Sequence, residues 1–384
     1  MNKIDLFKVR MNPYAKELVG RTLDSGFIGQ GEVVDKFEQR LKEELRSDVM
    51  PLTLNSCTSA LDLALHLCGV ESYGYGPEFF YHGDVVERPC VISTPVTCTA
   101  SNFPIILRGA KILWADVDPN TFCIDPKSVE RIIKQHKNEA QPIKAIMAVD
   151  WAGRSCDYDA LKQFGIPVIQ DAAHCWNTYY KGDPISRHGG DYVCYSFQAI
   201  KFLTSGDGGA LIVPESQYER ALLLRWYGMD RRGSNSMRCL QSILEAGFKY
   251  HMNDVMASIG LSNIDLANDS VQKHRKNAAI YNEAFKDLTS ISIPPPDPDC
   301  SYWLYSIKVE KGTKEEFSKY LADRGIASSP VHFRNDLYEC TKEFKTKREL
   351  PGVEEFAQKQ VSIPVGFWLS QEDLDHIIKT IREY

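Results

Sequence analysis

Short apolar runs ending in polar or glycine-containing turns recur through the first two-thirds of the chain, with helical patterns between them. The runs are "TLN" before Ser56, then "CVISTPV", "AKILWADVD", "IKAIMAVDWAG", "IPVIQDAAH", "GDYVCYSF" and "GGALIVP". Among the helical patterns, "VVDKFEQRLKEEL" is amphipathic, and "SALDLALHLCGV" follows "TLNSCT" as a strand, a turn and a capped helix would. This alternation predicts an α/β fold with a mostly parallel sheet flanked by helices. Sheets of that kind place ligands beyond the carboxyl ends of their strands, where Asp150, Asp171 and Ser196 stand.

The pattern changes after about residue 262. "DSVQKHRKNAAIYNEAFKDL" reads as a long helix, and the proline-rich "ISIPPPDPDC" as a turn into a smaller second domain. That domain would hold "YWLYSIKV", the helix "TKEEFSKYLADRG", "VSIPV" and a final helix "SQEDLDHIIKTIREY". The expected division is a large domain over 1–262 and a small α+β domain over 263–384. Segment 71–89, rich in glycine and aromatic residues, interrupts the pattern and reads as a surface excursion, with a β-hairpin as one form.

Composition narrows the function classes. The chain has 384 residues, 43% hydrophobic and 25% charged, which suits a globular protein. A net charge of −6 argues against nucleic-acid binding, which needs a clustered basic surface. The N-terminal "MNKIDLFKVRMNPYAKELVG" lacks the apolar core of a signal peptide, and no run has the length needed to cross a bilayer. The eleven cysteines form no CxxC pair, which removes zinc-ribbon and thioredoxin-like readings. The expectation is reduced thiols in a cytoplasmic compartment and no metal site.

Three motifs carry chemistry. "VIQDAAH" puts Asp171 at the end of an apolar strand. An acid there either caps the following helix or keeps a heteroaromatic nitrogen protonated, as pyridoxal phosphate requires. Thirty positions on, in "SFQAIKFLTSGDGGA", Lys201 is flanked by Ile200, Phe202 and Leu203. A partly buried lysine with a lowered pKa forms an imine with an aldehyde and then transfers protons; the alternative is a surface lysine lying along apolar neighbours. "NSCTSALDLAL" puts Ser56, Thr58 and Ser59 at a helix start, either as an ordinary cap or as an anion cradle, to which Ser196 would add a hydroxyl.

Taken in order, these motifs resemble the DegT/StrS-type aminotransferases of nucleotide-linked keto-sugars. The similarity extends through "LDSGFIGQGEVVDKFEQRL", "GAKILWADVDPNTFCIDP", "VDWAGRSCDYDAL" and "GFKYHMNDVMASIGL". The resemblance implies an aspartate-aminotransferase-type fold (fold type I), pyridoxal 5′-phosphate as cofactor, and a homodimer with shared active sites. It implies that Lys201 forms the imine, Asp171 binds the pyridine nitrogen and His174 approaches the cofactor or substrate. Thr58, Ser59 and Ser196 would hold the phosphate. Cys98 stands where many relatives place an aromatic that stacks on the cofactor, leaving Trp151 and Trp176 as substitutes. Lys249 stands where a partner-subunit asparagine often reaches the phosphate, and His251 replaces a common arginine.

The activity implied is transfer of the amino group of L-glutamate to a nucleotide-diphosphate-linked keto-deoxyhexose. The short spacing from Lys201 to Asp207 resembles the branch that makes 4-amino-4,6-dideoxy sugars. A 3-keto-sugar aminotransferase is the nearest alternative. Related dehydratases typically have histidine at the lysine position, and a non-catalytic scaffold homologue would be free to lose Asp171, His174, Ser196 or Lys201. This chain keeps all four.

Overall fold

The computed structural model describes residues 3–70, 80–81, 84–85, 88–232 and 240–384. The seven apolar runs become the strands of a single sheet: β1 (Leu52–Leu54), β2 (Cys90–Ser93), β3 (Lys111–Trp114), β4 (Ile143–Val149), β5 (Val168–Asp171), β6 (Tyr192–Ser196) and β7 (Gly209–Ile212). The strand order is β1-β7-β6-β5-β4-β2-β3. Strand β7 is antiparallel to both of its neighbours, and every other pair is parallel. Six strands therefore end at one edge, and the chain leaving β6 must turn there and come back. Lys201 lies in that return loop.

Local chemistry fixes the return. Phe197 N–H donates to the Gly208 carbonyl at 2.9 Å, and Ser205 N–H to the Phe197 carbonyl at 3.0 Å. Gly208 has φ +142°, a region open to glycine. Its neighbour Gly209 passes so close beneath the helix Cys57–Leu67 that a Cβ would stand 2.6 Å from the Cys57 nitrogen. The "GDGG" run thus lets β7 pack directly under the start of that helix.

A second sheet of three antiparallel strands, β8 (Ile291–Ser292), β9 (Tyr305–Val309) and β10 (Gln360–Ile363), lies in the order β8-β9-β10. The helices Lys314–Ala322 and Gln371–Arg382 each begin with a capping box, Thr313 with Glu316 and Ser370 with Asp373. Their apolar faces, with Phe317, Leu321, Ile377 and Ile381, form a cluster distinct from that of the large sheet. The 32-residue helix Asp254–Phe285 serves both clusters, with Ile264 and Val271 in one and Tyr281 and Phe285 in the other. Among the described residues no helix is long and apolar enough to cross a membrane.

Within segment 71–89, strands Phe80–Tyr81 and Asp84–Val85 pair antiparallel; residues 71–79, 82–83 and 86–87 lie outside the described residues. The N-terminal stretch is stitched across the molecule. Ile4 exchanges backbone bonds with Gly325 and Ala327 at 2.8 and 2.9 Å. Arg10 pairs with Asp269 at 2.5 Å, and Asn12 N–H donates to Asn263 at 2.8 Å. Between these ties Phe7 packs on Trp303, ring centroids 5.1 Å apart.

Gly209→Ala forces backbone apart at the sheet–helix contact, so it should destabilise the fold by about 1–3 kcal/mol, read as a lower midpoint in urea unfolding.

Candidate active site

A cavity of about 540 Å3 opens at the carboxyl edge of the large sheet. Lys201, Asp171, His174, Ser196, Thr58 and Cys98, separated in sequence by up to 143 positions, all line it. Ser59 and Lys249 do not. Ser59 donates to Asn55 Oδ1 at 2.6 Å and faces a neighbouring cavity of about 640 Å3. That second cavity is larger, but its charges are paired among themselves. Arg108 holds Asp62 through two bonds of 2.7 and 2.6 Å, Tyr250 donates to Asp62 at 2.8 Å, and His66 lies between Arg108 and Glu245. Lys249 is exposed, with Nζ 3.6 Å from the centroid of Trp226.

Asp171 ends β5 and is buried. One oxygen accepts from Ser101 Oγ at 2.5 Å and the other from Ala173 N–H at 3.0 Å. With the Ser101 proton committed to the carboxylate, the 2.6 Å contact between Thr97 and Ser101 has Thr97 as donor. Burial raises the pKa of Asp171, and these hydrogen bonds, with the nearby Lys201, oppose the rise. Such a carboxylate is suited to a buried cationic partner.

Lys201 is half-buried. Its Nζ lies 3.6 Å from the centroid of the Trp303 ring, and the Trp303 indole N–H donates to the Ile200 carbonyl at 3.1 Å. One tryptophan thus fixes the backbone beside the lysine and offers its ring face to the amine. Burial lowers the pKa of Lys201 to about 8, against the upward pull of Asp171. About a tenth of its amine is therefore neutral and nucleophilic at pH 7, against well under a thousandth for an ordinary lysine.

His174 stacks on the other partner of this group, its ring centroid 4.0 Å from that of Trp303 at 19°. Its Nδ1 accepts from Ala152 N–H at 3.3 Å, so the neutral ring carries its proton on Nε2. Burial, then the charge of Lys201, hold its pKa well below the usual imidazole range. At the helix start, Ser56 Oγ caps Ser59 N–H at 3.1 Å. The cap leaves the first-turn amides of Cys57 and Thr58 without intrahelical partners at the cavity wall.

Sequence reasoning also pointed to groups that lie elsewhere. Trp151 and Trp176 are buried in the core, where their indole N–H groups donate to Ser306 at 3.2 Å and Asn268 at 2.8 Å. Neither lines the cavity; the aromatic residues that do are Phe7, Trp303, His174 and His332. Asp150 is buried and committed to Cys156 N–H, Tyr158 and Gln170, an internal fastener of the sheet edge. His251 lies against Trp226, ring centroids 3.9 Å apart. Trp303 and His332 enter from 102 and 131 positions beyond Lys201, in runs whose patterns carry no mark of chemistry.

The sequence matches the DegT/DnrJ/EryC1/StrS aminotransferase family over residues 10–382. It is 34% identical to AtS13 of Actinomadura melliaura, whose crystal structure superposes with a TM-score of 0.87 over 100% of this chain and 99% of that one. The sugar aminotransferase CalS13 of Micromonospora echinospora is 30% identical, with a TM-score of 0.87 over 99% of each chain. The spore coat polysaccharide biosynthesis protein SpsC of Bacillus subtilis is 29% identical over 97% of this chain and 96% of its own length.

The lowered pKa of Lys201 has a direct readout. Reductive methylation of the ligand-free protein, followed by peptide mass spectrometry, should show the Lys201 rate rising through pH about 8. Exposed lysines should follow only near pH ~10.4. Asp171→Asn removes the charge that favours the ammonium, so the Lys201 midpoint should move lower still.

Proposed function

The chain belongs to the DegT/DnrJ/EryC1/StrS aminotransferase family, and within it we propose a transaminase that moves the amino group of L-glutamate to a nucleotide-diphosphate-linked 4-keto-6-deoxyhexose. The product is a 4-amino-4,6-dideoxy sugar nucleotide, used in building a surface or secreted glycan. Members of the family are sugar aminotransferases that use pyridoxal 5′-phosphate. The observation that carries the reading is Lys201, with a pKa of about 8, in one cavity with the buried acid Asp171 and the free amides of a helix start.

The donor set fits the cofactor. Cys57 and Thr58 amides, the Thr58 hydroxyl and Ser196 would hold its phosphate; Asp171 would face its ring nitrogen; Lys201 would bind its aldehyde carbon. When bound, the cofactor supplies an electron sink for negative charge developing on the carbon that gains or loses the amino group. Every other task falls to the chain. Asp171, buried and oriented by Ser101 and Ala173, supplies the counter-charge that keeps a ring nitrogen protonated. Lys201, as a free amine of matched pKa, would take a proton from one carbon of the reacting substrate and return it to another. His174, neutral and stacked on Trp303, would turn its Nε2 proton toward the cofactor or the neighbouring substrate. Donor and acceptor use the same cavity in turn, which gives ping-pong kinetics.

The spacing from Lys201 to Asp207 favours amination at C4 over C3. A homodimer is part of the same reading. Lys249 lies outside the cavity of its own chain, where a second copy would meet it as a point charge for a phosphate. A reducing, cytoplasmic setting is part of the same reading. The large cofactor-binding part over 1–262 and the smaller C-terminal part over 263–384 would share the helix Asp254–Phe285, whose Ile264 and Val271 still pack in the cluster of the large sheet.

Adding pyridoxal phosphate to the purified protein should produce a long-wavelength visible band that bleaches with L-glutamate. A band indifferent to glutamate would reopen the donor and the dehydratase chemistry, and no band would leave a non-catalytic protein. Lys201→Ala should lose transamination by about 10²–10⁴-fold or more, with Asp171→Ala also losing most turnover. Wild-type rates in Lys201→Ala would end the assignment.

A further inference from the structure

The segment Ser328–His332 reaches the active cavity from the three-stranded sheet, with Ser329, Val331 and His332 on the cavity wall. Its backbone is strained. His332 N–H donates to the Pro330 carbonyl at 2.8 Å, closing a three-residue turn about Val331, whose φ is +67°. A γ-turn of that sign is rare, and a β-branched residue in it is a true outlier. Such strain persists only where the surroundings enforce it, and it clusters at functional sites.

The surroundings do enforce it. Val331 N–H donates to Ser329 Oγ at 2.9 Å, and Ser329 exchanges backbone bonds of 3.2 and 2.8 Å with Ser362 in β10. On the far side, Asn335 bonds the Pro95 and Thr97 carbonyls, both at 2.9 Å. The turn is thereby pinned between the small sheet and the loop that carries Cys98.

What the turn presents is an imidazole with an unused nitrogen. The His332 ring lies parallel to His174, centroids 6.0 Å apart at 4°, and meets Trp151 edge-on at 5.7 Å. Its Nε2 is buried and has no hydrogen-bond partner among the described residues. Buried polar atoms in folded proteins are paired, and an orphan on a cavity wall marks a place where a ligand atom belongs. We infer that His332 is a substrate-contacting residue, whose Nε2 hydrogen-bonds a hydroxyl of the keto-hexose and so distinguishes the sugar from the amino donor. This rests on the keto-sugar reading above.

Chemistry selects the sugar over glutamate. A carboxylate calls for a guanidinium or ammonium partner, and this wall has none to give. The neighbouring Arg334 is already paired with Asp336 and Glu354, both at 2.7 Å. Burial and the nearby Lys201 charge lower the His332 pKa to about 4, which leaves the ring neutral at physiological pH. A neutral imidazole nitrogen suits a hydroxyl, which both donates and accepts.

The two half-reactions separate the possibilities. The holoenzyme's visible band is bleached with L-glutamate, then recovered with dTDP-, UDP- and GDP-linked 4-keto-6-deoxyhexoses, for wild type, His332→Phe and His332→Gln. Phenylalanine keeps the ring against Trp151 but removes the nitrogen. Bleaching should stay within about twofold of wild type, while kcat/KM for recovery falls roughly ten- to a hundredfold. Glutamine sets an amide near the Nε2 position and should restore recovery to within about threefold of wild type. If the phenylalanine variant does not fold, His332→Asn, whose amide stops short of that position, carries the same expectation of loss. Full recovery in the phenylalanine variant, or equal slowing of both halves, overturns the inference alone. A wild-type band that bleaches but recovers with no keto-sugar overturns the sugar reading, and this inference with it.

Discussion

The ammonium of Lys201 has neighbours that pull its proton affinity in opposite directions. Burial favours the neutral amine, while Asp171 and the face of Trp303 favour the charged form, and burial wins. Both influences depend on position to within a few ångströms. Much of the large sheet can be read as the means of holding that position: β5 ends at the acid, β6 leads to the lysine loop, and the reversed β7 brings the chain back under the helix that offers its free amides. Were β7 parallel to its neighbours, the loop would have to cross the sheet as a long connection, and the lysine would lose its fixed backbone.

The fold was largely legible in the sequence, because each strand of the large sheet is a short apolar run closed by a turn. Lys201 and Asp171 were legible for a related reason: Asp171 ends β5 and Lys201 follows the end of β6 by five residues, where a charge stands out among apolar neighbours. The remainder of the site was not. Trp303 and His332 come from loops beside the other sheet and reach the cavity only through tertiary packing, and nothing in "CSYWLYS" or "SPVHFRN" differs from ordinary core or turn sequence. Trp151 and Trp176 stood as substitutes for the stacking aromatic that Cys98 replaces, yet their N–H groups find partners in the core. Proximity to a strand end identifies candidates; it does not say which way a side chain turns.

Distant parts of the chain are joined by single buried polar groups, each of which satisfies backbone that would otherwise be orphaned. Asp254, in the first turn of the long helix, accepts from Gly31 N–H at 2.8 Å and Val34 N–H at 3.1 Å, at the start of the helix Glu32–Leu45. Asp116 does the same for Gly352 and Val353 at the start of the helix Pro351–Lys359. Asn335 ties the small-sheet side to the loop after β2. The site owes its rigidity to these fasteners as much as to its apolar core, since they set how the two sheets' loops meet across the cavity.

The stitched N-terminal stretch bears on how the protein is made. Ile4 pairs with residues 325 and 327, and Phe7 closes the cavity against Trp303. During translation these early residues leave the ribosome while their partners, some 300 positions downstream, do not yet exist. The large sheet has all its strands once Ile212 has emerged, but the catalytic chamber lacks a wall until the last quarter of the polypeptide is synthesised. Contacts of such sequence separation form slowly. From Ile212 to Trp303 the growing chain therefore carries the strands of the large sheet without the wall that closes its cavity.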